Sequence, residues 1–272
     1  MQVAPQRTSP DADPSRPDIA PPGWPGVALL QTKLYVPRSP SALVSRPRLT
    51  ERMRAGAGGK ATIVTAPAGW GKTTLLAEWL AHPSNAHRAA GWVSLEASEN
   101  EPALFWAYFV RALQKAHPGL VARAFMMLDP GEPSMRSVLP ALINAIDAAA
   151  TDVVVILDDY HVIESAPIHE AVSYLLDHMP ARLHLVIASR TEPPLPLGRM
   201  RAPGEVMEVR AADLPSSDGE ASVYRNDVMS LGLSAADVAT LEARTEGWIA
   251  GLKLAALSLE GRSESARSLE TF

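Results

Sequence analysis

The residues most suited to chemistry lie in a glycine-containing stretch after a short β-branched run. Residues 61–65 (ATIVT) are typical of a buried strand, and residues 66–74 (APAGWGKTT) follow directly. The apolar spacing of the next residues predicts a helix. Strand, glycine loop and helix together form the context of a phosphate-binding P-loop, so this stretch predicts nucleotide binding.

Within the P-loop, backbone N–H groups and the start of the helix would face the phosphates. The predicted nucleotide contacts are Ala68, Gly69, Trp70, Gly71, Lys72, Thr73 and Thr74. Lys72 would reach the β- and γ-phosphates, and the Thr73 hydroxyl would ligate Mg²⁺. Ala66 stands where the strict pattern has its first glycine, although Gly69 and Gly71 still allow the backbone to approach an anion.

A second candidate site is the acidic pair that follows the apolar run of residues 153–157. A carboxylate at the end of such a strand can hold the Mg²⁺ of a nucleotide, and we assign this metal role to Asp158. Asp159 would orient or deprotonate the attacking water and is therefore a candidate catalytic residue. Acidic residues after a strand also serve as caps of the next helix, which is the alternative interpretation.

Arg190 follows the apolar run of residues 183–188. Ligand groups collect at the carboxyl ends of parallel strands, so Arg190 is a second candidate catalytic residue that would sense the γ-phosphate. The alternative is a solvated loop arginine. His161 lies close to the acidic pair in sequence, and a structural role is favoured for it.

The segment before the P-loop strand is a candidate adenine pocket. Val44 and Pro47 could sandwich the base, while Arg46 or a backbone amide binds its edge. A connector stiffened by Pro47 explains the same residues, and both interpretations stay open.

Strand and helix patterns alternate along the chain. Apolar or β-branched runs predict strands at about 61–65, 91–95, 153–157, 183–188 and 205–209, with helices between them. Such alternation predicts an α/β fold with a parallel sheet and right-handed crossovers. Beyond residue 211 only helical patterns remain, at about 217–229, 234–244 and 248–259.

These patterns divide the chain into three regions. Residues 1–26 are rich in proline and predict a disordered leader, because they cannot bury enough apolar surface. Residues 27–212 form the expected ATP-binding domain. Residues 213–272 form a small helical subdomain, which is expected to be incomplete.

The composition limits the partners. The chain has 272 residues, 47% of them hydrophobic, and a formal net charge of −5, so it offers no overall basic surface for DNA or anionic lipid. It contains no cysteine, which excludes disulfides and thiolate metal sites. Neither a signal peptide nor an apolar run of membrane-spanning length is present, which predicts a cytoplasmic protein.

Five motifs in order resemble one family. They are residues 30–49 (LQTKL to VSRPRL), the P-loop, 157–161 (LDDYH), 188–194 (ASRTEPP) and 245–252 (TEGWIAGL). Together they look like the nucleotide-binding module of MalT-like, LuxR-type bacterial transcriptional regulators. These regulators are STAND proteins (signal transduction ATPases with numerous domains). Ala66 at the first position of the P-loop is usual in that family.

The resemblance implies a P-loop NTPase sheet ordered 2-3-4-1-5, followed by helices with a hinge near Gly247 and Trp248. It also implies a switch: an ADP-bound resting form exchanges for ATP and self-associates, and slow hydrolysis resets it. DNA would be bound only through a C-terminal domain that these residues do not contain. The expected ligands are ATP or ADP with Mg²⁺.

Two other functions remain open at this stage. The P-loop could serve a small-molecule kinase, although no arginine-rich lid is evident. Alternatively, the chain could be a non-hydrolysing interaction module that keeps its nucleotide as a structural element.

Overall fold

The apolar runs form strands in the computed structural model, which describes residues 28–38, 45–126 and 135–214. The strands are β1 (Ala61–Thr65), β2 (Ala89–Ser94), β3 (Val153–Asp158), β4 (Leu183–Ser189) and β5 (Val206–Arg210). They pair in parallel in the order β2-β3-β4-β1-β5. This order confirms the one that the family resemblance implied.

Seven α-helices lie in the described residues. They are α1 (Pro47–Gly56), α2 (Lys72–Ala81), α3 (Pro102–Ala116), α4 (Pro118–Met126), α5 (Met135–Asp147), α6 (Ala166–Asp177) and α7 (Leu197–Arg201). Short 3-10 helices span Gln31–Leu34, Pro83–Asn85, Ala97–Asn100, Tyr160–Val162 and Ala211–Asp213. None of the helices in the described part is long and apolar enough to span a bilayer.

The sheet is buried on both faces because its strands are apolar at successive positions. In β3, Val153, Val155 and Leu157 point into one core together with side chains of α3 to α6. Val154 and Ile156 point into a second core that contains side chains of α1 and α2. The sheet is therefore the middle layer of three, and its carboxyl edge carries the loops that follow β1, β3 and β4.

Local differences from the sequence prediction have identifiable causes. Helices α4 and α7 were not predicted. A serine directly before a helical apolar pattern, such as Ser165, predicts an N-cap with a capping side chain. Ser165 is the N-cap residue of α6, but its side chain makes no capping hydrogen bond. The side chain of Asn100 accepts hydrogen bonds from the amides of Glu164 and Ser165 instead, at 2.6 and 3.1 Å. The capping hydrogen bond predicted for Ser165 was wrong, and Asn100 binds the two residues just before the helix and not the amides inside its first turn.

Several expectations fall outside the described residues. They are the disordered leader at 1–26, Val44 of the adenine pocket, and the helices and the Gly247–Trp248 hinge expected between 215 and 272. The division of the chain into three regions therefore stays a prediction.

Candidate nucleotide-binding site

The loop between β1 and α2 has the backbone shape of an anion cradle. Gly69 and Gly71 have φ of 78° and 75°, in the left-handed region that glycine adopts without steric cost. The Ala66 amide donates to the Ser189 carbonyl at 3.2 Å, which fixes the start of the loop on β4. Helix α2 begins at Lys72, so its free N-terminal amides lie at the same place and favour a negatively charged ligand.

Lys72 is held inside this cradle. Its Nζ donates to the carbonyls of Ala66 and Pro67 at 2.8 and 3.0 Å, and the residue is only 6% exposed. Burial lowers the pKa of Lys72, while the negative charges of Asp159 and Asp158 oppose this shift. A buried ammonium with two neutral acceptors gains strongly from an anionic partner, which is the chemistry of phosphate binding.

Thr73 of α2 contacts Asp158 at the end of β3, although β4 lies between β3 and β1, the strand that precedes the P-loop. The Thr73 hydroxyl donates to Asp158 Oδ2 at 2.8 Å. Asp158 is 2% exposed, and burial raises its pKa to about 6 against the lowering effect of the Thr73 hydrogen bond. A hydroxyl and a carboxylate at this position are the oxygen donors that Mg²⁺ prefers, so the pair predicted as metal ligands is assembled.

Asp159 lies at a sharp turn directly after β3. Its φ and ψ of 58° and 36° are left-handed, and its amide donates to Asp158 Oδ1 at 3.0 Å. The two carboxylates therefore diverge: Asp158 is buried beside Thr73, whereas the Asp159 side chain is half exposed. This exposure leaves Asp159 accessible to water, as a water-orienting role requires.

His161 is close to Asp159 in space as well as in sequence. Its Nδ1 lies 3.7 Å from Asp159 Oδ1 and is buried without a hydrogen-bond partner among the described residues. Burial lowers the pKa of His161, and the positive charges of Arg190 and Lys72 lower it further. The structure thus places His161 beside Asp159; from the sequence a position near the site was one of two interpretations, and a structural role was favoured.

Arg190 is exposed at the end of β4. Its positive charge lowers the pKa of both Lys72 and His161, so Arg190 lies near enough to influence both residues. The hydroxyl of the preceding Ser189 is buried there and has no hydrogen-bond partner among the described residues. The structure therefore brings together the P-loop, the acidic pair and Arg190.

The segment predicted to bind adenine begins α1 with Pro47 at its first turn. Glu78 of α2 accepts hydrogen bonds from the Ser45 hydroxyl and, at 3.1 Å, from the Arg46 amide. A Cβ on Gly71 would lie 3.9 Å from Arg46 Nη2, so the guanidinium borders the P-loop. Glu78 was not predicted, because a glutamate on a helix is usually solvated and its residue type carries no signal of such a contact.

These features fit a nucleotide with Mg²⁺. The cradle has left-handed glycines and helix amides. Among the described residues, the buried Lys72 has no anionic partner at hydrogen-bond distance, and the buried Ser189 Oγ has no hydrogen-bond partner. Mg²⁺, when bound, would neutralise charge between the β- and γ-phosphates, with Thr73 and Asp158 as its protein ligands.

Comparison with known proteins supports the same class. Residues 48–188 match the family model of the AAA ATPase domain. The serine/threonine-protein kinase PknK of Mycobacterium tuberculosis is 33% identical over 237 residues, which are 86% of this chain and 21% of that protein. The HTH-type transcriptional regulator MalT of Yersinia enterocolitica is 33% identical over 240 residues, 88% of this chain and 26% of MalT.

Among solved structures, a STAND protein with a tetratricopeptide repeat sensor from Pyrococcus horikoshii has a similar fold. The TM-score is 0.52 at 18% identity, covering 78% of this chain and 29% of that one. The chain thus spans about a quarter of the MalT and STAND proteins that it matches. The resemblance to MalT-like regulators that the motifs indicated is confirmed.

Proposed function

Because the chain belongs to the AAA ATPase domain family, we propose that it is a regulatory switch module that binds ATP or ADP and slowly hydrolyses ATP. The observation that carries this proposal is the assembled site. The Thr73 hydroxyl and the Asp158 carboxylate meet at 2.8 Å beside a buried Lys72, although 85 residues separate Thr73 from Asp158 in sequence. Such a pair beside a glycine cradle is what a magnesium nucleotide requires.

In this proposal the residues have distinct roles. Lys72 binds the β- and γ-phosphates, and Thr73 and Asp158 hold the metal ion. Asp159 orients the attacking water, since its carboxylate is exposed and diverges from that of Asp158. Arg190, whose charge reaches the same space, contacts the γ-phosphate and reports its presence.

The base would lie against Arg46 and Pro47 at the start of α1. Glu78 supports this placement because it ties the backbone of Arg46 to α2, the helix that also carries Lys72 and Thr73. Base and phosphate contacts would therefore move as one unit. Val44 lies outside the described residues, so its contact with the base stays a prediction.

The MalT similarity supports a role in a LuxR-type transcriptional regulator. The ATP state would favour self-association of the full-length protein, DNA would be bound by a separate domain, and the protein would act in the cytoplasm. A nucleotide can shift such an equilibrium only through different affinities for the two arrangements.

The binding site is tested with Lys72→Ala and fluorescent ATP and ADP. Without the ammonium, we expect nucleotide affinity to fall by about 100-fold or more, since charged hydrogen bonds to phosphate are lost in a buried site. Lys60→Ala is the matched control: Lys60 is a partly exposed lysine at the opposite end of β1, paired with Glu205 at 3.0 Å. Unchanged affinity in Lys72→Ala would contradict the site.

A phosphate-release assay with the wild-type chain separates the switch from the other two functions. Slow release that needs no acceptor supports the proposal. Rapid transfer to a hydroxyl acceptor would instead establish a small-molecule kinase. Intact ATP after long incubation with Mg²⁺ would establish a non-hydrolysing module.

A further inference from the structure

The turn that carries Asp159 is anchored by a side chain from another loop. We call residues 159–163 the Asp159 turn; its internal hydrogen bonds are Val162 N to the Asp159 carbonyl (3.2 Å) and Ile163 N to the Tyr160 carbonyl (3.0 Å). The buried Tyr160 also fixes the turn, because its hydroxyl lies 2.9 Å from Nδ1 of His169 in α6. A second anchor binds the end of the turn from a loop that is distant in sequence.

Asn100 is such an anchor. Its Nδ2 donates to the Val162 carbonyl at 2.7 Å, and its Oδ1 accepts from the amides of Glu164 and Ser165 at 2.6 and 3.1 Å. The same amide group donates to the Ala97 carbonyl at 3.2 Å. One side chain thus binds the end of the Asp159 turn on one side and the start of α6 on the other.

The loop that carries Asn100 is held in place by the neighbouring residue, Glu99. The neighbouring Glu99 is 1% exposed, and both of its carboxylate oxygens accept from Lys33 Nζ, at 2.8 and 2.7 Å. Glu99 also accepts from the Glu96 amide at 2.7 Å and from the Ser98 hydroxyl at 2.8 Å. The residue that precedes Asn100 is therefore fixed by four hydrogen bonds of its side chain, which supports a positioning role for Asn100.

We infer that Asn100 is a positioning residue for hydrolysis: through the Val162 carbonyl it fixes the turn from which Asp159 presents its carboxylate. The inference rests on the proposed ATP hydrolysis at this site. Asn100 lies on the far side of the turn and touches no phosphate-binding residue in the contacts described. Its effect should therefore appear in the chemical step and not in nucleotide affinity.

Asn100→Asp separates the effect of the amide donor (Nδ2) from that of the amide acceptor (Oδ1). The carboxylate keeps two acceptors for the amides of Glu164 and Ser165, and its charge suits the N-terminus of α6. It loses the donor to Val162, because a carboxylate cannot donate to a carbonyl. We expect kcat for ATP to fall by about 10- to 100-fold, with Kd for ATP within about twofold of wild type.

Asn100→Ala removes both the donor and the acceptor without adding a charge. This variant should therefore also have a lower kcat, and its helix α6 should be less stable. Asn85→Asp is the control for general destabilisation. Asn85 follows the C-terminal end of α2, is 4% exposed and donates to the Trp79 carbonyl at 2.6 Å. This control should lower the melting temperature and leave kcat at the wild-type value.

Amide hydrogen exchange provides a readout that does not depend on hydrolysis. Asn100→Asp should speed exchange at Val162 and Ile163, whose amides close the turn. If Asn100→Asp has the same amide exchange rates and the same kcat as the wild type, the inference is overturned. It is also overturned if Asn85→Asp loses as much kcat as Asn100→Asp. If the wild-type chain hydrolyses no ATP, the proposed hydrolysis fails, and unchanged exchange at these amides would then reject the anchoring role separately.

Discussion

At the residue scale, Asp159 shows how backbone conformation assigns a side chain to one task. Its left-handed φ of 58° turns the chain directly after β3, so that Asp158 stays buried and Asp159 reaches solvent. Aspartate and asparagine tolerate this conformation better than other non-glycine residues, because their short polar side chains bond locally. A test of Asp159 should therefore preserve the backbone while changing the carboxylate.

Asp159→Asn meets this condition. We expect the hydrolysis rate to fall by about 100-fold or more, as removal of a general base does, while ATP affinity stays near the wild-type value. Single-turnover hydrolysis and fluorescence titration measure the two quantities. Loss of ATP binding in this variant would instead assign Asp159 a role in metal binding or folding.

Arg190 is the residue by which the site could distinguish ATP from ADP. If it contacts the γ-phosphate, Arg190→Ala should weaken ATP binding by about tenfold or more and leave ADP binding nearly unchanged, because only ATP loses a charged hydrogen bond. The ratio of the two dissociation constants is the measurement. Arg199→Ala is the control, since Arg199 pairs with Asp177 at 2.7 Å on another part of the surface; an equal loss for ATP and ADP in Arg190→Ala would refute γ-phosphate sensing.

At the element scale, the segment before α1 is tied to the α/β core by a buried ion pair. Lys33, in the 3-10 helix Gln31–Leu34, is 6% exposed and binds Glu99. Burial opposes the charge of Lys33, but the hydrogen bonds and negative charges of Glu99 and Glu96 raise its pKa overall. The lysine of the LQTKL motif thus has a structural explanation.

Lys33→Met would leave the Glu99 carboxylate buried without its cation. We expect the free energy of unfolding to fall by about 3–5 kcal/mol, as for other broken buried pairs. Lys60→Met is the matched control, because the Lys60–Glu205 pair is partly exposed and should contribute less than about 1 kcal/mol. Denaturant titration measures both, and equal losses would contradict the buried-pair explanation.

The sequence predicted the strands and the P-loop because their signals are local. A β-branched run, glycines and a Lys-Thr pair lie within fifteen residues, and the continuous apolar run of β3 leads directly to Asp158. The position of each catalytic candidate followed from the rule that parallel strands collect ligand groups at their carboxyl ends. Family resemblance was needed for the strand order, since local patterns do not determine which strands are neighbours.

The contacts that sequence reasoning missed are long-range and polar. Asn100 binds residues more than sixty positions away, and Glu78 binds Ser45 and Arg46 across two elements. An asparagine in a loop or a glutamate on a helix is usually solvated, so neither residue type carries a signal of its own. Only the packing of β2, β3 and the following loops brings Asn100 to the Asp159 turn.

At the scale of the whole molecule, the sheet separates two cores, and a buried histidine links two of its neighbouring strands, β4 and β1. His184 of β4 is 3% exposed. Its Nδ1 lies 2.8 Å from the Gly59 carbonyl and its Nε2 lies 3.0 Å from Thr62 Oγ1. Because a carbonyl only accepts, Nδ1 carries the proton and Nε2 accepts from the threonine hydroxyl, which fixes the neutral tautomer.

Burial lowers the pKa of His184 to about 4, against the raising effect of the Gly59 hydrogen bond. The unfolded chain binds a proton at His184 near pH 6.5, whereas the folded protein resists protonation until about pH 4. Unfolding therefore takes up a proton between these values, and stability falls as the pH decreases through this window. The loss from this residue approaches about 3 kcal/mol at the acidic end.

His184→Asn isolates this contribution from the titration of carboxylates. The asparagine amide can still donate to the Gly59 carbonyl, but it does not titrate, and it leaves the buried Thr62 hydroxyl without its acceptor. We expect the variant to be less stable than wild type at pH 8 and to lose less stability between pH 6.5 and pH 4. Denaturant titrations at a series of pH values give the free energy of unfolding, and hence its slope against pH, for the wild type and for the variant. Parallel slopes in the two proteins would show that His184 is protonated equally well in the folded and unfolded chain, and the neutral buried link between β1 and β4 would then be wrong.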